Sequence, residues 1–299
     1  MSRVAAVASL VTALLLGCDA DQQRSAVNAP APMIVYSSVP PLAYFVERVG
    51  GKHVRAEHLV GPGQSPHNFE PSARQVSDLA QARVVVLVGL PFEERVRDML
   101  AKATPAPLLV DVRAGVNLLE ATCDHEHGEH AHEHAADPHI WLDPKRVRIQ
   151  ARTIAASLSQ ALPDRAADFA TNLAAFDADL QQLDARIAAT LEEKRGQEFF
   201  VFHPAYGYFA DSYGLRQVAI ETDGKEPSPR QLAELTERAR AAGANVLFYP
   251  PQFPRTAVDV IAREIGATAA PLDDLSRDYL RNLEDLAQKL SGAAVRGGS

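Results

Sequence analysis

The sequence predicts an α/β protein of two lobes, each with a mainly parallel sheet flanked by helices, joined by one long rigid helix. Short apolar segments alternate with helical patterns on both sides of residues 163–195, and such alternation is typical of parallel α/β units. The clearest helical period of the chain lies between them, and a helix-capping sequence occurs once on either side of it. We therefore expect two related lobes that face each other.

The first lobe is predicted to span residues 33–145. Its apolar segments have the length of buried strands, and the stretches between them have helical periodicity. The predicted strands are 33–37, 55–60, 84–88 and 108–112, and the predicted helices are 42–49, 73–81 and 92–103.

The linking helix is predicted over residues 163–195, within a helical segment that covers 146–196. Its apolar residues follow one another at steps of three or four, which gives one apolar stripe. They are Phe169, Leu173, Phe176, Leu180, Leu183, Ile187 and Leu191. Pro163 suits a first helical turn and Gly196 suits an end. About 33 residues at 1.5 Å each reach roughly 50 Å, so the helix is long enough to lie across both lobes. An isolated coiled coil is the alternative, and the α/β segments on both sides argue against it.

The second lobe is predicted to span residues 197–299. Its predicted strands are 198–202, 217–220 and 246–249, and its predicted helices are 205–213, 232–242 and 257–265. The segment Glu70-Pro71-Ser72-Ala73-Arg74-Gln75 of the first lobe returns here as Glu226-Pro227-Ser228-Pro229-Arg230-Gln231. Each copy has Ser followed three residues later by Gln, which is a capping box.

Residues 1–18 are predicted to be a lipoprotein signal peptide. Arg3 precedes a mostly apolar run that is too short to span a bilayer, which needs about 20 residues, but has the length of a signal-peptide core. The run ends at Leu15-Leu16-Gly17-Cys18, which resembles the bacterial lipobox, whose cysteine is lipidated. An ordinary cleaved signal peptide with an incidental cysteine is the alternative. Residues 19–32 are predicted to be a flexible tether, so we expect a lipid-anchored monomer in the periplasm or at the outer face of the cytoplasmic membrane.

Composition excludes some classes of partner. The formal net charge is −8, which argues against nucleic-acid binding because that function needs a basic face. Besides Cys18 the chain has one cysteine, Cys123, so an internal disulfide is not expected. Cys123 is either an additional soft metal ligand or a free thiol.

A histidine-rich tract precedes the linking helix. Six of the ten histidines lie between Asp124 and His139, in a polar run with nothing to bury. Neutral imidazole binds zinc, copper and nickel well, so residues 124–134 are predicted to be a loop that collects such ions. Its histidines are His125, His127, His130, His132 and His134. An inert polar insertion is the alternative.

Three histidines, including His139 at the end of the tract, and one carboxylate follow predicted strands or loops. His67 follows a first-lobe strand, His139 closes the tract, His203 ends the strand 198–202, and Asp273 follows the last short strand. Ligands of open α/β sheets bind beyond the carboxyl ends of strands, so these four are candidate ligands. Each of them could instead be a capping or core residue.

Together these segments resemble the solute-binding lipoproteins of bacterial ABC metal importers, the ZnuA/TroA type. The resemblance rests on Pro66-His67-Asn68-Phe69-Glu70-Pro71, Asp137-Pro138-His139-Ile140-Trp141-Leu142, Phe202-His203-Pro204-Ala205-Tyr206 and Pro251-Gln252-Phe253. It implies one ion in the interlobe cleft, held by His67, His139 and His203 with Asp273 in the fourth position. It also implies an ABC permease and its ATPase as partners. The chain departs from the pattern at Pro250, where relatives usually have Glu.

Ligand chemistry favours zinc. Three imidazoles and one carboxylate suit a four-coordinate Zn²⁺ site, whereas manganese prefers more oxygen ligands. A receptor for manganese or another divalent metal is the alternative within the same type. A zinc hydrolase with Glu70 as general base is the alternative from another class, and a metal-binding adhesin is a third.

Overall fold

Two four-stranded parallel sheets form the framework of the protein. The structure is a computed structural model, and it describes residues 31–120, 136–221 and 228–293. The first sheet has the order β2-β1-β3-β4, with strands β1 (Met33–Ser37), β2 (Val54–His58), β3 (Val84–Leu87) and β4 (Leu108–Asp111). Since every pairing is parallel, the carboxyl ends of all four strands lie along one edge. The four predicted strands are confirmed, with ends that differ by a residue or two.

The helices of the first lobe begin where the sequence supplies suitable residues. They are α1 (Pro40–Gly50), α2 (Ala73–Leu79) and α3 (Phe92–Leu100). Helix α1 starts two residues before its predicted start, because Pro40 and Pro41 fit a first turn, where no amide donor is needed. Helix α2 has the predicted capping box, in which Ser72 accepts from the N–H of Gln75.

A pair of helices links the lobes. The first is α4 (Pro144–Ala161), and the second, α5 (Ala166–Leu191), has 26 residues. The predicted long helix over 163–195 is confirmed as a helical segment, in which the 3₁₀ turns Pro163–Arg165 and Glu192–Lys194 flank α5. The apolar stripe is confirmed as the buried side of α5. Its residues Phe169, Phe176, Leu180, Leu183, Ile187 and Leu191 are at most 1% exposed, and the seventh, Leu173, is partly buried against the core.

The second sheet repeats the topology of the first. Its order is β6-β5-β7-β8, with strands β5 (Glu198–Val201), β6 (Arg216–Ala219), β7 (Val246–Tyr249) and β8 (Thr268–Pro271). The helices are α6 (Gly207–Tyr213), α7 (Pro229–Ala242), α8 (Arg255–Glu264) and α9 (Tyr279–Gly292). Helix α7 has the second capping box, formed by Ser228 and Gln231.

Helix α9 has no counterpart among the predicted elements. It buries Tyr279, Leu283, Leu286, Ala287 and Leu290, whose spacing of three and four is helical. The ring of Tyr279 contacts that of Phe45 in α1, with centroids 4.8 Å apart. Helix α9 therefore packs against the first lobe, although it follows the last strand of the second sheet in sequence.

The apolar interior is divided between a large core and a smaller cluster. The large core contains the first sheet, α4, α5, α9 and one side of the second sheet, including Phe199 and Val201. The smaller cluster lies on the other side of that sheet, where Phe200 and Leu247 pack against α8 residues such as Val258. Successive strand residues point to opposite faces, so β5 contributes to both.

Several predictions fall outside the described residues. These are the signal peptide and Cys18, nearly all of the tether, Cys123 and the histidine-rich residues 124–134. Within the described ranges, no helix combines the length and apolarity that crossing a membrane requires.

Candidate metal centre

The three dispersed histidines lie on different segments of the fold. His67 is in the loop between β2 and α2, where buried Phe69 packs on Phe92 with ring centroids 4.9 Å apart. His139 begins a short 3₁₀ turn, Ile140–Leu142, just before α4. His203 follows β5 by two residues, and the main-chain N–H of the intervening Phe202 donates to the carbonyl of Phe248 in β7. Sheet edges and short turns therefore fix the position of each ring.

The Nε2 atoms of these histidines point at one another. The separation is 3.0 Å between His67 and His203, 3.3 Å between His67 and His139, and 3.4 Å between His139 and His203. Zn–N bonds of about 2.0–2.1 Å at tetrahedral angles separate ligand nitrogens by roughly 3.3 Å. The three nitrogens thus already have the spacing of three corners of a zinc tetrahedron.

Two aromatic rings line the back of the cluster. Trp141 lies against His139 with centroids 5.1 Å apart, and Phe253 lies against His203 at 5.6 Å. His139 and His203 are 3% and 6% exposed, whereas His67 has an exposed surface. The cluster is therefore dry on its inner side and open to solvent beside His67.

The surroundings of His67 oppose its protonation. Burial of the Nε2 side, together with the charges that His139 and His203 would carry, lowers the pKa of His67 to about 2. Part of the His67 ring is open to water, which moderates the burial effect, but like charges at 3.0 Å and 3.3 Å from its Nε2 would repel strongly. Neutral imidazoles are the form that binds a metal ion.

Asp273, the predicted fourth ligand, does not join this cluster. The group of ligand atoms within 4.8 Å of one another contains the three histidines alone among the described residues. The Asp273 carboxylate accepts from the N–H of Leu275 at 2.9 Å, and its carbonyl accepts from Asn282 of α9. Burial raises the pKa of Asp273. Its role as a ligand stays a prediction.

The neighbouring Asp274 is a residue that sequence reasoning missed. It is 3% exposed, and its carboxylate accepts from the side chain of Gln252 at 3.2 Å. Its carbonyl accepts from the indole N–H of Trp141 at 2.7 Å. Burial raises the pKa of Asp274 to about 6, opposed by the charge of nearby His203 and aided by Asp273. Asp274 thus holds Trp141, one of the two aromatic rings beside the cluster. The sequence signal is the Asp273-Asp274 pair, since the end of a strand does not by itself indicate which of two adjacent carboxylates lies beside the site.

Comparison with known proteins identifies close relatives. Residues 35–293 match the family described as ZnuA, the periplasmic component A of the zinc-uptake complex. The chain is 31% identical over 290 residues to the zinc-binding lipoprotein AdcA of Streptococcus pneumoniae R6, which covers 95% of this chain and 55% of the relative. The chain therefore spans about half the length of the AdcA proteins that it matches.

Solved structures also match this chain over most of its length. A crystal structure of ZnuA matches with a TM-score of 0.81 and 37% identity, covering 88% of this chain and 99% of that chain. FpvC from Pseudomonas aeruginosa, in complex with Mn²⁺, matches with a TM-score of 0.73 and 27% identity, covering 87% and 97%.

Proposed function

Because the chain belongs to the ZnuA family of periplasmic zinc-uptake components, we propose that it captures Zn²⁺ outside the cytoplasm and delivers it to an ABC permease. The family consists of substrate-binding proteins of ABC transport and not of enzymes. The zinc ion is accordingly cargo that is bound and released, with no chemical step.

The spacing of three Nε2 atoms at 3.0–3.4 Å is the observation that carries this proposal. We assign His67, His139 and His203 as ligands, contributed by loops of both lobes. Nitrogen-rich, four-coordinate sites suit zinc. A fourth ligand completes the tetrahedron, and Asp273, Asp274 and a water molecule are the candidates.

Delivery requires attachment and partners, which belong to the same proposal. Lipidation of Cys18 would hold a monomer at the membrane surface, in reach of the permease that its ATPase drives. The tract histidines, His125 to His134, would gather ions near the cleft and raise the chance of capture when zinc is scarce.

Manganese is the alternative cargo, since FpvC was solved with Mn²⁺. Three nitrogens and at most one or two oxygens fit manganese poorly, because that ion prefers oxygen ligands. A hydrolase is not favoured either. The candidate base Glu70 is exposed and paired with Arg95 at 2.8 Å.

Metal titration of untagged protein tests the proposal. We expect one tight Zn²⁺ equivalent by calorimetry, confirmed by elemental analysis, and much weaker binding of Mn²⁺ in the same buffer. The control is the triple variant in which His67, His139 and His203 are replaced by Ala. Tight manganese binding, or an unchanged tight zinc equivalent in the triple variant, would overturn the assignment.

A further inference from the structure

The far side of His139 is fixed by a carboxylate. Its Nδ1 lies 2.7 Å from Oδ1 of Asp137, which also accepts from the main-chain N–H of His139 at 2.9 Å. Both residues are buried, at 3% and 7% exposure. A carboxylate oxygen only accepts, so this contact keeps the proton of the neutral ring on Nδ1. The lone pair is then on Nε2, which faces the other two histidines.

Asp137 itself is held from the second lobe. The hydroxyl of Tyr208 in α6 donates to the Asp137 carbonyl at 2.7 Å and accepts from the N–H of Leu119 at 3.0 Å. The preceding Gly207 approaches so closely that a Cβ there would lie 2.9 Å from Oδ2 of Asp137. The position of the carboxylate is therefore set by groups on both sides of the cleft.

His203 has a similar neighbour on its far side. Its Nδ1 lies 3.4 Å from Oε2 of Glu221, and these residues are each 6% exposed. The main chain of Glu221 is anchored beside His203, because its N–H donates to the carbonyl of Phe202 at 2.9 Å. Neither Nδ1 nor Oε2 has a hydrogen-bond partner among the described residues. Two buried polar atoms without partners are costly, and a small rotation of either side chain would join them.

We propose that Asp137 and Glu221 are positioning residues, one for each buried ligand, and that the contact between His203 and Glu221 closes into a hydrogen bond when zinc binds. The inference rests on the proposed function. The cation draws electron density from the ring and strengthens Nδ1–H as a donor, while the carboxylate makes the ring a better ligand. The site thus has one support already formed and one that forms with the ion.

The roles of Asp137 and Glu221 are tested by the zinc affinity of four variants. Competition with a chromophoric chelator measures this affinity. We expect Asp137→Ala and Glu221→Ala to bind zinc about 10- to 100-fold more weakly. Asp137→Asn and Glu221→Gln keep an acceptor oxygen, so their losses should be several-fold smaller. Asp168→Asn is the matched control for Asp137, because His53 and Asp168 form a similar pair at 2.7 Å on the exposed surface. Glu198→Gln, which alters the pair with Arg238, is the control for Glu221.

The tautomer separates positioning from a general structural role. In zinc-free protein labelled with ¹⁵N histidine, we expect His139 as the Nδ1–H form, and a loss of that preference in Asp137→Ala. His203 should become fixed as Nδ1–H when zinc is added, and should not in Glu221→Ala. If Asp137→Ala fails to fold, the zinc affinity of Asp137→Asn and the tautomer of His139 in the wild-type protein still test the role of Asp137. Affinities equal to the controls, or a wild-type His139 protonated on Nε2, would overturn the inference. A wild-type protein without a tight zinc equivalent would overturn the proposed function instead.

Discussion

The two lobes share one strand order but are packed differently. Across each sheet, the strands lie side by side in the order second, first, third and fourth, counted along the chain. The first sheet lies within the large core beside α5, whereas the second sheet has its outer side in a separate cluster with α8. The outer part of the second lobe is therefore attached to the rest of the molecule through its sheet, and we expect it to loosen more easily.

The same contrast occurs in the metal centre. The support of His139 is formed, with 2.7 Å between Nδ1 and Asp137, while that of His203 is open, with 3.4 Å to Glu221. A ligand on a preformed support costs little ordering when the ion binds, and a ligand on an open support can adjust to it. The first-lobe side thus provides position, and the second-lobe side provides adjustment.

The largest effect is expected on the free energy of unfolding, from substitutions in the large core and in the smaller cluster. Phe176→Ala, in the buried stripe of α5, should lower the free energy of unfolding by about 3–5 kcal/mol, and Leu247→Ala, in β7, by about 2–5 kcal/mol. Both side chains are 0% exposed. Urea unfolding combined with hydrogen exchange distinguishes them. Leu247→Ala should speed exchange mainly in α7, α8 and their strands, and Phe176→Ala in both lobes. Equal exchange patterns would contradict the difference in packing between the lobes.

Loss of a ligand is expected to be the next largest effect. Replacing His67, His139 or His203 by Ala should each weaken zinc binding by more than about 100-fold, since even indirect supports are worth 10- to 100-fold. Calorimetry at one pH measures all three. His58→Ala is a matched control, because His58 contacts Arg277 and is not part of the cluster. A variant that keeps wild-type affinity would remove that residue from the ligand set.

The sequence could predict the ligand cluster better than its surroundings. His67, His139 and His203 follow strands or turns, and parallel topology brings strand ends to one edge. Glu221 and Asp274 could not be assigned, because their positions beside the site depend on main-chain contacts with Phe202 and Trp141 that the sequence does not specify. The ends of α5 were missed for another reason. The apolar stripe runs from Phe169 to Leu191, so the predicted ends rested on Pro163 and Gly196, and neither residue marks where the hydrogen-bond pattern changes from α to 3₁₀.

Two groups near the site, His67 and Asp274, should make the stability of the zinc-free protein change with pH in opposite directions. The folded pKa of His67 is lowered to about 2, so only the unfolded chain takes up this proton below about pH 6.5, and stability falls as the pH falls. The folded pKa of Asp274 is raised to about 6 from 3.8. The folded chain takes up that proton first, so stability rises as the pH falls from about 7 to 4.

Single variants separate these trends. Asp274→Asn should remove the buried charge and raise stability at pH 7 by on the order of 1–3 kcal/mol, an effect that vanishes near pH 4. His67→Gln should remove part of the loss on acidification. Urea unfolding at several pH values measures both, with Asp98→Asn on the exposed side of α3 as the control. An Asp274→Asn variant with the wild-type dependence on pH would show that folding does not raise the pKa of Asp274.

The smallest effect on the cleft is expected from the histidine-rich tract. Leu119 accepts from the N–H of Asp137 at 2.9 Å, so the chain is joined on both sides of the tract and a deletion of residues 126–134 leaves Asp137 anchored. Tract histidines bind ions as an exchangeable, weak population, whereas the cleft ligands belong to stiff lobes and need little ordering. The deletion should therefore remove weak zinc equivalents and change the tight affinity by less than about twofold.

A variant of unchanged length, with His127, His130, His132 and His134 replaced by Gln, controls for the shortened chain. Titration gives the number of equivalents, and growth under a zinc chelator should suffer equally in both variants but not in zinc-replete medium. Loss of the tight equivalent in the Gln variant would make the tract part of the primary site. Zinc would then be held by tract histidines as well as by His139 on its formed support and His203 on its adjustable one.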